Sequence, residues 1–199
     1  MNNNFEYYLI GSDNTPSVPS LQPADGTDTL FLIDESPIEL PTKPMELWFR
    51  KPIPRKPKMV DFHQMPSSIF SKKIADVLCP MNIEGLQLVP ATVVGNEGIE
   101  HKDYFIVYIY KKIGCLDIKH SQYDEITPDG KARNLLKFFL DNKKLAKIPL
   151  EKRLIFLLKE DRAKRIYHKS VVEAIMSVNP VGIRFYPIQE WHEGIQFDA

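Results

Sequence analysis

The distribution of proline constrains the fold of this chain more than any other sequence feature. Ten of its 16 prolines precede residue 67. Proline removes a backbone donor and biases the residue before it toward extended geometry, so we expect little helix in the first third. Residues 51–58, KPIPRKPK, resemble a polyproline II strut, either a ligand for a proline-reading domain or, as we favour, a connection over the domain. We predict an extended proline-rich segment, residues 1–58, packed on a body formed by residues 59–199.

Beyond residue 58 the pattern alternates short strands with two amphipathic helices. Apolar residues recur at helical spacing from Ile69 to Leu78, and Pro80 ends this helix. The second helix begins at Ser170 with an S-x-x-E capping box and ends before Pro180. Strands are predicted at residues 5–10, 30–33, 58–63, 85–94, 104–110, 113–118, 154–158, 165–168 and 182–188. The fold class is therefore predicted as α+β, with a mostly antiparallel sheet and two short helices.

Two segments of the chain have nearly the same order of features. Each has an amphipathic helix, a turn with Asn and Pro, then Gly, a strand and a proline. Asn82 corresponds to Asn179 and Gly85 to Gly182, in both cases 97 positions apart. This pattern predicts a possible duplicated β-α-β element, and the alternative is chance similarity between two units that follow the same capping rules.

Charge and cysteine content indicate an ordinary cytoplasmic protein. Lys and Arg balance Asp and Glu, which argues against a general nucleic-acid binder, since such a protein needs a basic surface. The first ten residues lack the features of a secretory signal, and no apolar run is long enough to span a membrane. The two cysteines, Cys79 and Cys115, are expected to be free thiols.

No motif for catalysis, metal binding or cofactor binding is recognisable. The five histidines have no zinc-ligand spacing, and neither a nucleophile elbow nor a phosphate-binding glycine loop is present. We therefore predict no catalytic residue, no metal and no cofactor. Two alternatives stay open: a small enzyme with a pocket lined by Asp117, His120 or His168, and a nucleic-acid binder that uses the basic run at residues 143–169.

From about residue 59 to residue 191 the sequence resembles the bacterial family called immunity protein eleven. The resemblance is carried by the stretches SSIFSKKIADVL, GLQLVPATV, DYFIVYIY, GCLDIKHSQY, LIFLLKED and SVVEAIMSVNPVGIRFYPIQEW. The matching positions are core and turn positions: Gly85, Pro90, Asp117, Ser121, Gly182 and Phe185. We interpret Asp117 and Ser121 as a turn cap, and the proline-rich first third as a variable leader.

The resemblance implies a protein that binds and neutralises a cognate toxin effector domain, as in polymorphic toxin and type VI secretion systems. It implies no enzymatic activity and no membrane partner, and it leaves the oligomeric state open. Exposed loops are the expected contact sites. Our candidates are one loop with Glu97, Glu100, His101 and Asp103, and a second with Tyr123, Asp124, Glu125 and Asp129. Both are acidic, which suits a basic, nuclease-like toxin, although both are also typical of plain solvated hairpins.

Overall fold

The computed structural model describes residues 5–13, 16–24 and 36–197, so the strand predicted at residues 30–33 lies outside the described residues. Three α-helices form within these ranges: α1 (Lys72–Leu78), α2 (Asn142–Leu145) and α3 (Lys169–Met176). The strands are β1 (Tyr7–Ser12), β2 (Leu21–Pro23), β3 (Met45–Phe49), β4 (Phe62–His63), β5 (Ile69–Ser71), β6 (Leu86–Val94), β7 (Glu100–Ile109), β8 (Lys112–Ile113), β9 (Glu125–Ile126), β10 (Ala132–Arg133), β11 (Ile155–Leu158), β12 (Asp161–His168) and β13 (Ile183–Pro187).

The first of two large sheets has five strands in the order β13-β1-β12-β11-β8. The N-terminal strand β1 lies between β13 and β12 and is antiparallel to both, with Leu9 opposite Tyr186 on one side and Ile166 on the other. At the far edge β8 runs parallel to β11. A strand from the proline-rich third is thus internal to a sheet, because its alternating apolar side chains fit between two later strands.

The second large sheet has six strands in the order β2-β3-β6-β7-β5-β4. Strands β2 and β3 also come from the first third, and β3 pairs in parallel with β6 while the other neighbours are antiparallel. Strands β9 and β10 form a separate two-stranded ribbon. The division of the chain at residue 58 stays a prediction.

The predicted fold class is wrong in its sheet architecture and in its balance of elements. Both large sheets are mixed rather than mostly antiparallel, and strands far outweigh the three short helices, so α+β applies only loosely. A parallel pair requires a long crossover connection, here the residues between β3 and β6. Local sequence patterns carry no information about such distant pairings.

Helix boundaries differ from the prediction for local reasons. Ile69 and Phe70, assigned to the first helix, instead form β5 and pair with β7. Helix α2 was missed, and Asp141 caps it by accepting hydrogen bonds from the Lys143 and Lys144 amides. The predicted capping box does not start α3, because His168 is its N-cap and accepts from the Ser170 amide.

Two helix-strand units share one topology. In one, α1 connects β5 to β6, which flank β7; in the other, α3 connects β12 to β13, which flank β1. Asn82 and Asn179 both adopt a left-handed conformation, and Gly85 and Gly182 have φ values of 85° and 86°. Helices α1 and α3 pack against each other. The corresponding positions in the sequence therefore have corresponding backbone conformations.

Buried apolar residues occupy three clusters. One surrounds α1 and α3 and includes side chains from both large sheets, such as Val107 and Ile155. A second lies on the five-stranded sheet, and the third lies on one face of the six-stranded sheet. The third cluster is covered by Ile38, Ile53 and Met59. Ile38 and Ile53 of the proline-rich segment thus pack on one face of the six-stranded sheet, together with Met59.

Candidate protein-binding surface

Strand β3 places a tryptophan on an open sheet face. Leu47 and Phe49 are buried in the third cluster, so the alternation of a strand directs Glu46 and Trp48 to the opposite face. Trp48 is 48% exposed there. Tryptophan is enriched among the residues that contribute most to protein–protein binding.

Neighbouring strands extend this face in two rows. Trp48 is in register with Gln22 of β2 and Val94 of β6, and Val94 is in register with Glu100 of β7. Glu46 is in register with Thr92 in the next row. Registered residues point to the same side of a sheet. We define the Trp48 face by these six residues: Gln22, Glu46, Trp48, Thr92, Val94 and Glu100.

The turn between β6 and β7 forms one end of the Trp48 face. It is closed by a 2.8 Å hydrogen bond from the Gly95 amide to the Ile99 carbonyl. Ile99 is exposed, and Glu97 adopts a left-handed conformation with φ 58° at the tip. An apolar and an acidic side chain therefore project next to Val94 and Glu100.

The first predicted binding loop is shorter in the structure than in the prediction. Only Glu97 lies in the turn, because Glu100, His101 and Asp103 belong to β7. His101 is in register with buried Val93 and stacks on Phe49 at 6.1 Å, so it points away from the Trp48 face. The structure thus brings Glu97 and Glu100 to one surface and leaves His101 on the other side.

The carboxylates around the Trp48 face are largely uncompensated. Among the described residues, Glu46 and Glu97 have no ion-pair partner. Glu100 pairs with Lys102 at 3.2 Å, and both of these side chains are exposed. This edge of the sheet therefore has an excess of negative charge that faces solvent.

Two of the three acidic side chains of the second predicted loop form ion pairs close by. Asp129 forms a 2.6 Å ion pair with Lys131, and Glu125 pairs with Arg133 across the β9–β10 ribbon. Hydrogen bonds from Lys131 and then Thr127 lower the pKa of Asp129 to about 2.

The other two residues of this loop also have contacts within the chain. Asp124 accepts a 2.5 Å hydrogen bond from the Asn134 side chain, and Tyr123 packs on the five-stranded sheet. The role of both predicted loops in partner binding stays a prediction.

The residues named for an enzymatic alternative serve local structure. Asp117 accepts a hydrogen bond from the His120 ring at 2.7 Å, which lowers the pKa of Asp117, and it also accepts from the amides of His120 and Lys119. This pair is exposed, whereas His168 is buried and caps α3. Ser121 accepts from the Phe139 amide. Asp117 therefore caps a local turn, whereas the Ser121 side chain bonds to a residue 18 positions further along the chain.

The basic run at residues 143–169 does not form one continuous surface. Arg153 is only 4% exposed and donates to the Ile148 carbonyl and to the Tyr7 hydroxyl. Lys169 pairs with Glu6 at 2.6 Å, and Lys164 lies between Asp161 and Glu193. Several of these cations are therefore neutralised by contacts within the chain.

Residues 5–13, 16–24 and 36–197 contain neither of two arrangements that are typical of other classes of protein. No three or more His, Cys, Asp or Glu side chains gather there as metal ligands. No helix in these ranges combines the length and apolar character needed to cross a bilayer. Cys79 and Cys115 are both free, the first exposed and the second buried.

An exposed tryptophan on a sheet face suits protein binding, because tryptophan is enriched in protein–protein interfaces and among their hot spots. The immunity protein family (Imm11) matches residues 6–190, and the chain belongs to this family. The resemblance inferred from the sequence is confirmed, and it extends into the proline-rich third, so that third is not a leader outside the family match. No curated protein matches the chain significantly.

Sequence reasoning missed Trp48. The signal was available in MELWF, where Leu47 and Phe49 alternate with Glu46 and Trp48. The strands predicted from the sequence do not include residues 45–49. The strand forms because the surrounding prolines lie outside β3, and its backbone pairs with β2 and β6.

Proposed function

We propose that this protein binds and neutralises a cognate secreted bacterial toxin by direct protein contact, in the cytoplasm of the cell that makes both. One observation carries the location of this contact: Trp48 is exposed in register with Val94 and Glu100, in a chain of the immunity protein family. The Trp48 face is the proposed contact surface.

Tryptophan suits this role because it combines a large apolar area with little conformational entropy to lose. Interface tryptophans are frequently hot spots, and their truncation typically costs about 2 kcal/mol or more of binding free energy. Trp48 is held by a strand whose neighbours Leu47 and Phe49 are buried. The backbone at Trp48 is therefore fixed before the partner arrives, which lowers the cost of binding.

The negative charge of the Trp48 face supports a positively charged partner. The carboxylates of Glu46, Glu97 and Glu100 lie on or beside the Trp48 face, and negative potential there favours encounter with a positively charged surface. A toxin that cleaves nucleic acid has such a surface around its active site. Binding there blocks substrate entry without any chemistry by the immunity protein.

The other two functions considered from the sequence have less support. Asp117 and His120 form an exposed turn cap, and His168 is used to cap α3, so the residues named for an enzyme have structural roles. The basic run is interrupted by ion pairs and by the buried Arg153. Binding of a protein partner is the function that the geometry supports best.

The test is co-expression with a toxin domain encoded by a neighbouring gene, combined with a measurement of binding between the two proteins. We expect growth rescue and a complex that survives gel filtration. Trp48→Ala is expected to weaken binding at least about tenfold, since 1.4 kcal/mol corresponds to that factor. Leu40→Ala is the matched control, because Leu40 is 50% exposed and lies outside the Trp48 face.

Three results contradict parts of this proposal. Failure of the wild-type chain to bind or rescue contradicts the immunity function. If Trp48→Ala binds the toxin with wild-type affinity, the Trp48 face is not the contact surface. An equal loss for Leu40→Ala and Trp48→Ala also contradicts the assignment of the Trp48 face, because the effect is then not specific to this face.

A further inference from the structure

Strand β12 directs an arginine toward the space between the two large sheets. Arg165 is in register with Leu157 of β11, and registered residues point to the same side of a sheet. Leu157 belongs to the buried cluster around α1 and α3, as does Tyr167, two positions after Arg165. The Arg165 side chain is only partly exposed. A guanidinium group therefore lies next to an apolar core.

The charge of Arg165 is not compensated by a carboxylate. Its Nη2 donates a 3.3 Å hydrogen bond to the neutral hydroxyl of Ser67, and in the described part of the chain no Asp or Glu forms an ion pair with it. The neighbouring Lys164, by contrast, lies 3.9 Å from Asp161 and 3.6 Å from Glu193. A partly buried charge loses hydration, and a nearby counter-charge offsets that cost. The structure lacks such a counter-charge at Arg165.

Arg165 lines a cavity of about 330 Å³. Gln64, Ala163 and Phe197 also line this cavity and are exposed, so it opens to solvent. The Gln64 side-chain oxygen accepts from the Ser12 hydroxyl at 3.4 Å, whereas its amide nitrogen donates no hydrogen bond within the described residues. Two groups with N–H donors, the Arg165 guanidinium and the Gln64 amide, thus border one open cavity.

The remaining lining of this cavity favours binding of an anion at Arg165. Ile10 and Phe62 contribute apolar surface, and apolar surroundings strengthen an interaction between opposite charges. Glu193 is the acidic residue of the lining, and it forms its ion pair with Lys164 rather than with Arg165. Liquid water occupies about 30 Å³ per molecule, so the cavity has room for an acidic side chain.

We propose that this cavity binds the carboxylate of an Asp or Glu side chain of the toxin, with Arg165 as its charged partner and Gln64 as a neutral donor. This inference rests on the proposed function and assigns a second contact to the same partner. A guanidinium presents two parallel N–H donors that match the two oxygens of a carboxylate. A toxin that is basic overall also has acidic side chains, so this contact is compatible with the Trp48 face.

The first experiment measures the affinity of the purified toxin domain for variants of the full-length chain. Arg165→Gln is expected to weaken binding at least about tenfold, and Arg165→Lys less, because lysine keeps the charge but not the paired donors. Arg55→Gln is the matched control and should bind like the wild type. Arg55 also has no ion-pair partner among the described residues, but it is exposed and does not line the cavity.

The stability of the unbound variants separates binding from a structural role. Arg165→Gln is expected to have a urea midpoint equal to or above that of the wild type, because it removes a partly buried charge that lacks a counter-charge. An arginine that mainly holds the fold together loses stability on the same change. A lower midpoint together with wild-type affinity therefore overturns the inference.

Double-mutant cycles identify the bound carboxylate. Each exposed Asp or Glu of the toxin domain is replaced by Ala and measured against the wild type, Arg165→Gln and Arg55→Gln. One toxin position is expected to lose affinity with the wild type and to lose little more with Arg165→Gln, which shows coupling to Arg165. If no acidic position couples to Arg165, or if Arg165→Gln binds like the wild type, the inference is overturned and the immunity function stands. If the wild-type chain does not bind the toxin domain, the proposed function fails, and the inference fails with it.

Discussion

Asn82 and Asn179 have the same left-handed backbone conformation, with φ 48° in both, although they lie 97 positions apart. Each follows a helix and donates its amide to the carbonyl three residues earlier, that of Cys79 in one case and Met176 in the other. Asparagine tolerates this conformation better than other residues with a β-carbon, so it ends the helix and turns the chain toward the next strand. The two turns lead to Gly85 and Gly182.

Replacement of Gly182 by alanine is expected to destabilise the fold by about 3 kcal/mol. Its φ is 86°, and an added Cβ lies 2.7 Å from the Val60 Cβ, so both backbone strain and crowding oppose it. Gly98→Ala is the control, since its φ is also positive but its surroundings are open, and about 1 kcal/mol is expected there. Urea denaturation of both variants measures the difference. Equal losses contradict the crowding argument.

His63 is expected to make stability depend on pH. Burial lowers the pKa of His63 to about 4, against an unfolded value of 6.5. Between these values the unfolded state binds a proton that the folded state does not. Stability therefore falls as the pH drops from about 6.5 to 4, by on the order of 3 kcal/mol at most.

Comparison of two histidine variants isolates this effect. Denaturation midpoints between pH 4 and 7 are expected to lose much of their pH dependence in His63→Gln. His120→Gln should behave like the wild type, because His120 is exposed. If the stability of His63→Gln depends on pH as steeply as that of the wild type, another group is responsible for the pH dependence.

Tyr7→Phe is expected to cost about 1–3 kcal/mol of stability, because it removes a hydroxyl acceptor from a buried guanidinium. The Tyr7 hydroxyl accepts from Arg153, and both residues are almost fully buried. The exposed pair of Arg133 and Glu125 provides the comparison, and Glu125→Gln is expected to change stability by less than about 0.5 kcal/mol. Chemical denaturation resolves the two values. If both variants change the free energy of unfolding by a similarly small amount, the prediction is wrong.

Glu97→Gln is expected to slow association with a basic toxin several-fold at low salt, and less at high salt, because Glu97 has no ion-pair partner among the described residues. Asp129→Asn changes the net charge equally but affects a carboxylate already paired with Lys131. Stopped-flow association rates at two salt concentrations distinguish the variants. A larger effect for Asp129→Asn points to the β9–β10 ribbon as the contact.

The two thiols are expected to differ sharply in reactivity. Cys79 is exposed, whereas Cys115 is buried and its burial raises the pKa of the thiol. Only the thiolate is nucleophilic, so a thiol reagent should modify one cysteine in the native protein and two after denaturation. Mass spectrometry identifies the modified residue. Rapid native modification of Cys115 contradicts the buried position.

Local signals determined the parts of the fold that depend on neighbouring residues. The helix before Asn82, the helix before Asn179 and the glycines that follow them were all visible in the sequence, because turn conformation is set by a few adjacent residues. The start of α1 was not visible in the sequence, since Ile69 and Phe70 have an apolar pattern that fits a helix or a strand equally well. Pairing with β7 decides between them.

Only the tertiary structure decided which strands become neighbours and which surfaces stay open. Strand β1 lies between β12 and β13, and β3 lies beside β6, through contacts between residues far apart in the chain. The Trp48 face follows from these pairings. The sequence by itself determined the family and the two helix-strand units, because these depend on local order. Surfaces made from several distant strands depend on how the whole chain packs.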